Sequence, residues 1–309
     1  MTDPGTLVIG TRASPLAMAQ AHETEGALRT AHGWEPDRIR LSPMTSTGDL
    51  ILNRPLAEAG GKGLFTKELD EALLARTVDL AVHSAKDLPT VLPPGLVIAG
   101  FLPREDVRDV LVSQDGVDIT GLPQGAVVGS ASARRGAILL RARPDLSLTL
   151  IRGNVGTRLA KVGRGEVVAT VLALAGLRRL GFAEEPGFRV LSPEEMLPAV
   201  GQGAIALVIR AGDARVAEAV APICHVETGA SLAAERAYLG VLDGSCRTPI
   251  AGHAVGRDGT LAFRGMVLTL DGADARDIDL SGAPADAERL GREAGQAMRA
   301  KLPAGWLAA

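Results

Sequence analysis

One local pattern occurs twice in this chain and limits what it can fold into. The apolar run Leu7-Val8-Ile9 leads into Gly10-Thr11-Arg12-Ala13-Ser14. The run Ala126-Val127-Val128 leads into Gly129-Ser130-Ala131-Ser132-Ala133-Arg134. Each reads as a strand, a glycine, a hydroxyl residue and the start of a helix. Ser14 is placed to cap a helix running to about Ala31, with Pro15 in its first turn, and Ser132 to cap one over Ala133–Leu140. A helix start of this kind leaves backbone N–H groups free for an anion. Two copies, each with an arginine nearby, predict two lobes facing one cleft.

The rest of the chain fills in an α/β architecture. Ile39–Met44, Asp79–Val82 and Leu96–Phe101 read as further strands of the first lobe, with an amphipathic helix over Leu64–Ala75. Leu148–Ile151 and Val167–Leu172 read as strands of the second lobe, followed by helices at Val155–Val162 and Ala173–Leu180. Arg104–Arg108, flanked by acids, reads as a polar crossover, and Leu197–Gly203 as the return hinge. Ala204–Ile209 is then a strand of one of these lobes. Beyond His225 come a helix over Ser231–Leu242, three strands and a final helix over Asp286–Lys301. The predicted division is a first lobe at 1–103 plus 200–222, a second at 104–199, and a small C-terminal α+β domain at 223–309. Ser42–Gly63 has no periodic pattern and is rich in glycine and proline, which reads as a lid over the cleft.

Composition removes several classes of function. The net charge of -3 argues against a nucleic-acid binder acting by bulk charge. No apolar run approaches the roughly 18 residues of a membrane span. The N-terminus has no basic residue before the first apolar stretch, so a cytoplasmic location is expected. Two cysteines, Cys224 and Cys246, lack any metal-ligand spacing and should stay reduced, and the five histidines form no metal or triad spacing. No coiled-coil pattern is evident, which leaves a monomer as the expectation.

Three segments can carry chemistry. Val82–Pro89 puts His83, Ser84, Lys86 and Asp87 just past a strand, where open α/β sheets bind ligands. It reads either as a charged turn closed by Pro89 or as a site in which Lys86 keeps the Asp87 carboxylate ionised. Arg152–Arg158 also follows a strand, and its glycines and arginines suit close, bidentate recognition of carboxylate or phosphate. With Arg12, Arg134, Arg135, Arg178 and Arg179 it points to a ligand bearing several anionic groups, although cations at 178 and 179 also suit a helix C-terminus. Cys246 lies in a Gly-rich loop beside Arg247, which favours a thiolate, whereas Cys224 has apolar neighbours and reads as an inert thiol.

Taken together, Gly10–Gln20, Gly48–Leu69, Asp79–Val112, Val128–Gly136, Arg152–Arg158, Ala173–Gly181, Leu197–Ala206 and Ala234–Ile250 resemble the porphobilinogen deaminase (hydroxymethylbilane synthase) family. The resemblance implies two lobes like those of periplasmic binding proteins and a third domain. It implies one dipyrromethane cofactor per chain, thioether-linked to Cys246. Four porphobilinogen molecules are condensed onto that primer with release of ammonia, and hydrolysis then frees hydroxymethylbilane. The implied catalytic residue is Asp87. Implied cofactor contacts are Lys86, Ser132, Arg134, Arg135, Arg158 and Asp87. Implied substrate contacts are Arg12, Ser14, Lys62, Phe65, Arg152, Arg158, Arg179 and Gln202. Neither metal, nucleic acid nor membrane is implied. Ala131 stands where many members have a hydroxyl residue, and Glu58 where some have lysine. The competing reading is a two-lobed polycarboxylate-binding protein without catalysis.

Overall fold

A computed structural model describes residues 5–50, 63–182, 187–244, 248–303 and 305–306. The chain divides into two compact units. The first comprises residues 1–51, 61–105 and 203–229, and the second residues 52–60, 106–202 and 230–309.

The first unit is built on β1 (Leu7–Arg12), α1 (Pro15–His32), β2 (Ile39–Met44), α2 (Thr47–Leu50), α3 (Lys67–Leu74), β3 (Leu80–Ser84) and β4 (Leu96–Phe101). The second continues with β5 (Asp109–Ser113), β6 (Val127–Gly129), α4 (Ala133–Ala142), β7 (Ser147–Thr149), α5 (Val155–Gly163), β8 (Ala169–Ala173), α6 (Leu174–Arg179) and β9 (Phe188–Val190). The chain then returns to the first unit as β10 (Ile205–Arg210) and α7 (Ala214–Val220). α8 (Val226–Val241) leads into β11 (Ile250–Arg257), β12 (Thr260–Leu268), β13 (Ala275–Gly282) and α9 (Ala287–Lys301).

The first sheet has the order β2-β1-β3-β10-β4, and the second β7-β6-β8-β5-β9. In each, three parallel strands come first and the fourth runs antiparallel to both neighbours. The antiparallel strand is in each case the one next to a crossover, β10 arriving and β5 entering. The repeated pattern of the sequence is thus a repeated sheet. The third sheet, β11-β12-β13, is antiparallel throughout, with α9 packed against β12 and β13.

Both repeated helix starts are built as the sequence predicts. Ser14 accepts from Ala17 N and Ser132 from Arg135 N. α1 ends where Gly33 takes the left-handed conformation that a glycine adopts without strain. Leu7, Ile9, Leu28, Leu80, Val82, Leu207 and Ile209 form the core of the first unit. In β5, Val110 and Val112 enter one apolar cluster and Leu111 another, the period of two that a strand imposes. Leu268 of the third sheet joins the cluster holding Leu111, Val128 and Leu139. The second predicted lobe and most of the predicted C-terminal domain therefore lie in one compact unit.

Some elements differ from the sequence reading. β5 and β9 were not expected: Asp109 opens β5 and looked like part of a polar crossover, and β9 has only three residues. α8 begins at Val226 rather than Ser231. α3 begins at Lys67 and buries Leu69 and Leu73 but leaves Leu74 exposed. The segment read as an unpatterned lid, Ser42–Gly63, opens with the end of β2 and the single helical turn α2, whose Thr47 N donates to Glu68 Oε1 at 2.9 Å. The remainder of that lid, residues 51–62 with Lys62 and Glu58, lies outside the described residues.

α9 and α8 approach each other through a glycine. A Cβ placed on Gly291 would lie 2.0 Å from the Ala234 carbonyl oxygen, whereas one on Gly240 of α8 would meet nothing within 4 Å. Gly291→Ala should lower folding stability by about 1–3 kcal/mol. Gly240→Ala should be neutral or stabilising by up to about 1 kcal/mol. Denaturant midpoints of the two variants check the pair, and equal effects would contradict this packing.

Candidate functional site

In the first unit the expected residues converge at the carboxyl ends of two neighbouring strands. β1 and β3 are parallel, with Ile9 opposite Leu80 and Gly10 opposite Ala81, so both deliver their following loops to the same edge. β1 ends on Arg12, and β3 runs into a single 3₁₀ turn, Ala85–Asp87. That turn is pinned where Ala85 N donates to Ala204 O at 3.0 Å and Leu88 N closes onto Ala85 O. Leu88 then takes an extended conformation ahead of Pro89.

Arg12, Ser14, Gln20, Phe65, His83, Ser84, Lys86 and Asp87 line a recess of about 70 Å³. A cavity needs only about 10–15 Å³ of such space to hold one water molecule, so the recess has room for a small polar group such as a carboxylate. Arg12 Nη1 lies 3.5 Å from Asp87 Oδ2, with the two side chains 19% and 27% exposed. The Arg12 guanidinium also sits 4.3 Å from the Phe65 ring centre, a cation–π contact. The sequence reading gave Asp87 its cation from Lys86, and in the structure Arg12 is also placed to do it. Asp87 is thus a fixed, part-exposed carboxylate. Such a group can stabilise a positive charge that develops beside it, or exchange a proton with a ligand.

His83 was given no role of its own from the sequence, yet it lines this recess and its Nε2 is buried without a hydrogen-bond partner. Burial, helped by the positive charge of Arg12, lowers its pKa to about 4. The imidazole is therefore neutral at pH 7. The signal that could have found it is its position: a polar residue two places before Ala85 at the end of an otherwise apolar strand.

The second unit gathers cations. Ser132 caps α4 and Arg134 and Arg135 follow in its first turn, only 4% and 8% exposed. Their partner is Asp109, with no exposure at all: it accepts from Arg134 Nη2 and Arg135 Nη2, each at 2.7 Å. Gln202 Nε2 donates to the same carboxylate at 2.9 Å. Burial would raise the Asp109 pKa, but the charges of Arg135 and Arg134 prevail and hold it down to about 2.

The Arg152–Arg158 run turns through Gly153, at φ 108°, and then enters α5 with Asn154 as cap, accepting from Thr157 N at 2.9 Å. Arg158 Nε donates to Gly153 O at 2.9 Å. Its pKa is lowered to about 10, first by burial and then by the positive charges of Arg135 and Arg152. Burial also lowers that of Arg152. Positive charge is thus concentrated around Arg158. Arg179 stands at the end of α6, where its neighbour Arg178 lies 3.6 Å from Asp106.

The structure thus brings Arg12, Ser14, Phe65, Lys86 and Asp87 together in the first unit. It brings Arg135, Arg152 and Arg158 within electrostatic reach of one another in the second. Arg134, Arg135 and Gln202, expected as ligand contacts, have guanidinium and amide groups engaged with Asp109. Asp109 itself was not singled out from the sequence. Cys246 and Lys62 lie outside the described residues. Cys224 packs its Sγ 3.3 Å from Val220 O, and burial pushes its thiol pKa up, as suits an inert thiol. Among the described residues no helix is long and apolar enough to cross a membrane.

Comparison with known proteins gives one answer. Residues 7–218 match the family described as porphobilinogen deaminase, dipyromethane cofactor binding domain, and residues 230–300 match porphobilinogen deaminase, C-terminal domain. The chain is 51% identical over 291 residues to a porphobilinogen deaminase of Nitrobacter winogradskyi, covering 94% of this chain and 92% of that protein. It is 50% identical, with the same coverage, to one of Nitrobacter hamburgensis. Among solved structures, the periplasmic aliphatic sulphonate binding protein SsuA from Escherichia coli matches at 17% identity and a TM-score of 0.42, over 77% of this chain and 70% of that one.

The state of His83 has a consequence for acid stability. The folded protein protonates it only near pH 4 and the unfolded chain near 6.5, so between these values the unfolded state holds more protons. Stability therefore falls as pH falls through that window, by up to about 1.4 kcal/mol per pH unit. Urea unfolding at pH 6.5 and pH 5 should show the unsubstituted protein losing about 1.5 kcal/mol more than His83→Gln. Parallel losses in the two proteins would mean that His83 is charged when folded.

Proposed function

Because the chain belongs to the porphobilinogen deaminase family, we propose that Asp87 is its catalytic residue and that the arginines of the second unit hold its cofactor. The enzyme condenses porphobilinogen molecules head to tail in tetrapyrrole synthesis, releasing ammonia, and carries a dipyrromethane cofactor. When bound, that cofactor supplies the pyrrole terminus to which substrate is joined. Its acetate and propionate side chains are anions, and the donor set here suits them: the positive charges of Arg135 and Arg152 bear on Arg158, and an anion bound there would offset them. Lys86, Asp87, Ser132, Arg134, Arg135 and Arg158 form the proposed cofactor set, and Cys246 is the proposed attachment point. Arg12, Ser14, Lys62, Phe65, Arg152, Arg158, Arg179 and Gln202 form the proposed substrate set.

The observation that carries the assignment of Asp87 is its fixed position. A pinned 3₁₀ turn holds the carboxylate at the carboxyl end of β3, part-exposed, with Arg12 Nη1 at 3.5 Å. Loss of ammonia from porphobilinogen leaves a cation on the substrate. A carboxylate already in place stabilises that charge without reorganising, so its effect falls on the transition state rather than on binding. The same carboxylate can hold a proton in transit during each condensation. Arg12, stacked on Phe65 and 3.5 Å from Asp87, is suited to a substrate carboxylate.

Asp87→Ala should retain the fold, judged by circular dichroism, and lose about 10²–10³-fold or more in the rate of ammonia release. Near-normal release would remove Asp87 from the chemistry. The attachment point is tested by mass: the unsubstituted protein should exceed its sequence mass by two linked pyrrole units, and Cys246→Ser should abolish the increment. Retention of the increment by Cys246→Ser would place the linkage elsewhere. The accompanying proposal of a cytoplasmic monomer is tested in its second part by light scattering of the holoprotein.

A further inference from the structure

Asp109 is a carboxylate removed from water at the first position of β5. Such burial costs several kcal/mol unless the charge is paired and its lone pairs are used. Here they are used: Arg134 Nη2 and Arg135 Nη2 donate at 2.7 Å, and Gln202 Nε2 at 2.9 Å. Each guanidinium then makes a second bond to a backbone carbonyl, Arg134 Nη1 to Leu197 O at 2.5 Å and Arg135 Nη1 to Val171 O at 2.9 Å.

This arrangement opposes three local tendencies. Consecutive residues on a helix point about 100° apart, so Arg134 and Arg135 do not converge by default. Their like charges repel. Both also stand in the first turn of α4, where the helix dipole disfavours cations. One buried anion answers all three. The convergence has a further cost: the Nε atoms of Arg134 and Arg135 are buried without hydrogen-bond partners. A fold gains nothing in stability from such donors, and an apolar trio of similar volume would pack here with less penalty. Meanwhile the positive charge of Arg135 bears on Arg158.

We propose that Asp109 is a positioning residue for cofactor capture: it locks Arg134 and Arg135 into one orientation and balances part of their charge, so that the arginine cluster meets the dipyrromethane carboxylates preorganised. This rests on the reading above that arginines of this cluster hold those carboxylates. The role differs from that of Asp87, because Asp109 acts only through the arginines and touches no reacting atom.

The test is the rate at which the full chain, prepared without cofactor in cells that make no porphobilinogen, gains mass when incubated with porphobilinogen. Folded fraction and melting temperature are measured in parallel by circular dichroism. Asp109→Asn keeps the shape but removes the charge, and its folded fraction should load at least tenfold more slowly than the unsubstituted protein. Asp109→Glu keeps the charge but displaces it by one methylene, and should load at least threefold more slowly. A purely structural role predicts a lower melting temperature with unchanged loading of the folded fraction, and that result in either variant overturns the proposal. Arg135→Leu separates the premise from the inference. If it loads normally, the carboxylate-holding reading fails. If it fails to load while either Asp109 variant loads normally, that reading stands and the role of Asp109 falls.

Discussion

The first unit depends on a strand that arrives almost a hundred residues late. β10 lies between β3 and β4, antiparallel to both, and every residue of it is buried. Ile205, Leu207, Val208 and Ile209 each contribute about 1.5–3 kcal/mol of burial as an upper estimate, comparable in sum with the whole net stability of an ordinary domain. The residue just before this strand, Ala204, supplies the carbonyl that pins the turn carrying Asp87. The proposed catalytic carboxylate is therefore positioned by its own strand and by a segment reached only after the chain has built the second sheet. β5 plays the matching part there, in the same fourth place of the sheet, and its first residue is Asp109.

Two aspartates near the ends of strands thus have opposite fates, and burial decides between them. Asp109 is enclosed, and its oxygens are taken by two guanidinium groups and an amide. Asp87 is part-exposed, and its cation stands at 3.5 Å, a distance that orients the carboxylate while leaving it able to face a ligand. Chemistry at neutral pH needs the second arrangement. An acid held down to about 2 by short buried contacts is a poor proton acceptor. The same division appears among the cations, with Arg134 and Arg135 bonded inward and Arg158 crowded by like charge.

Local rules made much of this legible. Ser14 and Ser132 announced their helices because an N-cap needs only a side chain and the next turn. The doubled strand–glycine–hydroxyl pattern announced the doubled sheet. Val82–Asp87 was recognisable as a loop past a strand, although residue chemistry alone left it level with a simple charged turn. What failed to show was long-range. Asp109 looked like surface charge because its partners lie 25 and 26 positions away, and nothing in Val107-Arg108-Asp109 reveals that its carboxylate is enclosed. β5 was hidden for the same reason. Gln202 looked like a hinge residue because the groups its amide reaches, Val107 O and Asp109, are some ninety residues earlier. His83 drew no role from the sequence because its meaning lies in the burial of Nε2, a property of the folded strand and not of the residue.

The arginine cluster shows why recognition and stability are hard to separate here. Burial first, and then the positive charges of Arg135 and Arg152, lower the pKa of Arg158. Any carboxylate held there relieves repulsion that the fold otherwise carries. By linkage, a ligand that binds only the folded state stabilises it, and a covalent ligand cannot be diluted away. A permanently attached polyanion would then complete the second unit electrostatically as well as prime the reaction. The buried acid fits the same logic from the other side. Asp109 neutralises one charge of the pair in the first turn of α4 and leaves the other unbalanced. Too much compensation would make the cluster indifferent to carboxylates, and too little would make it unable to assemble.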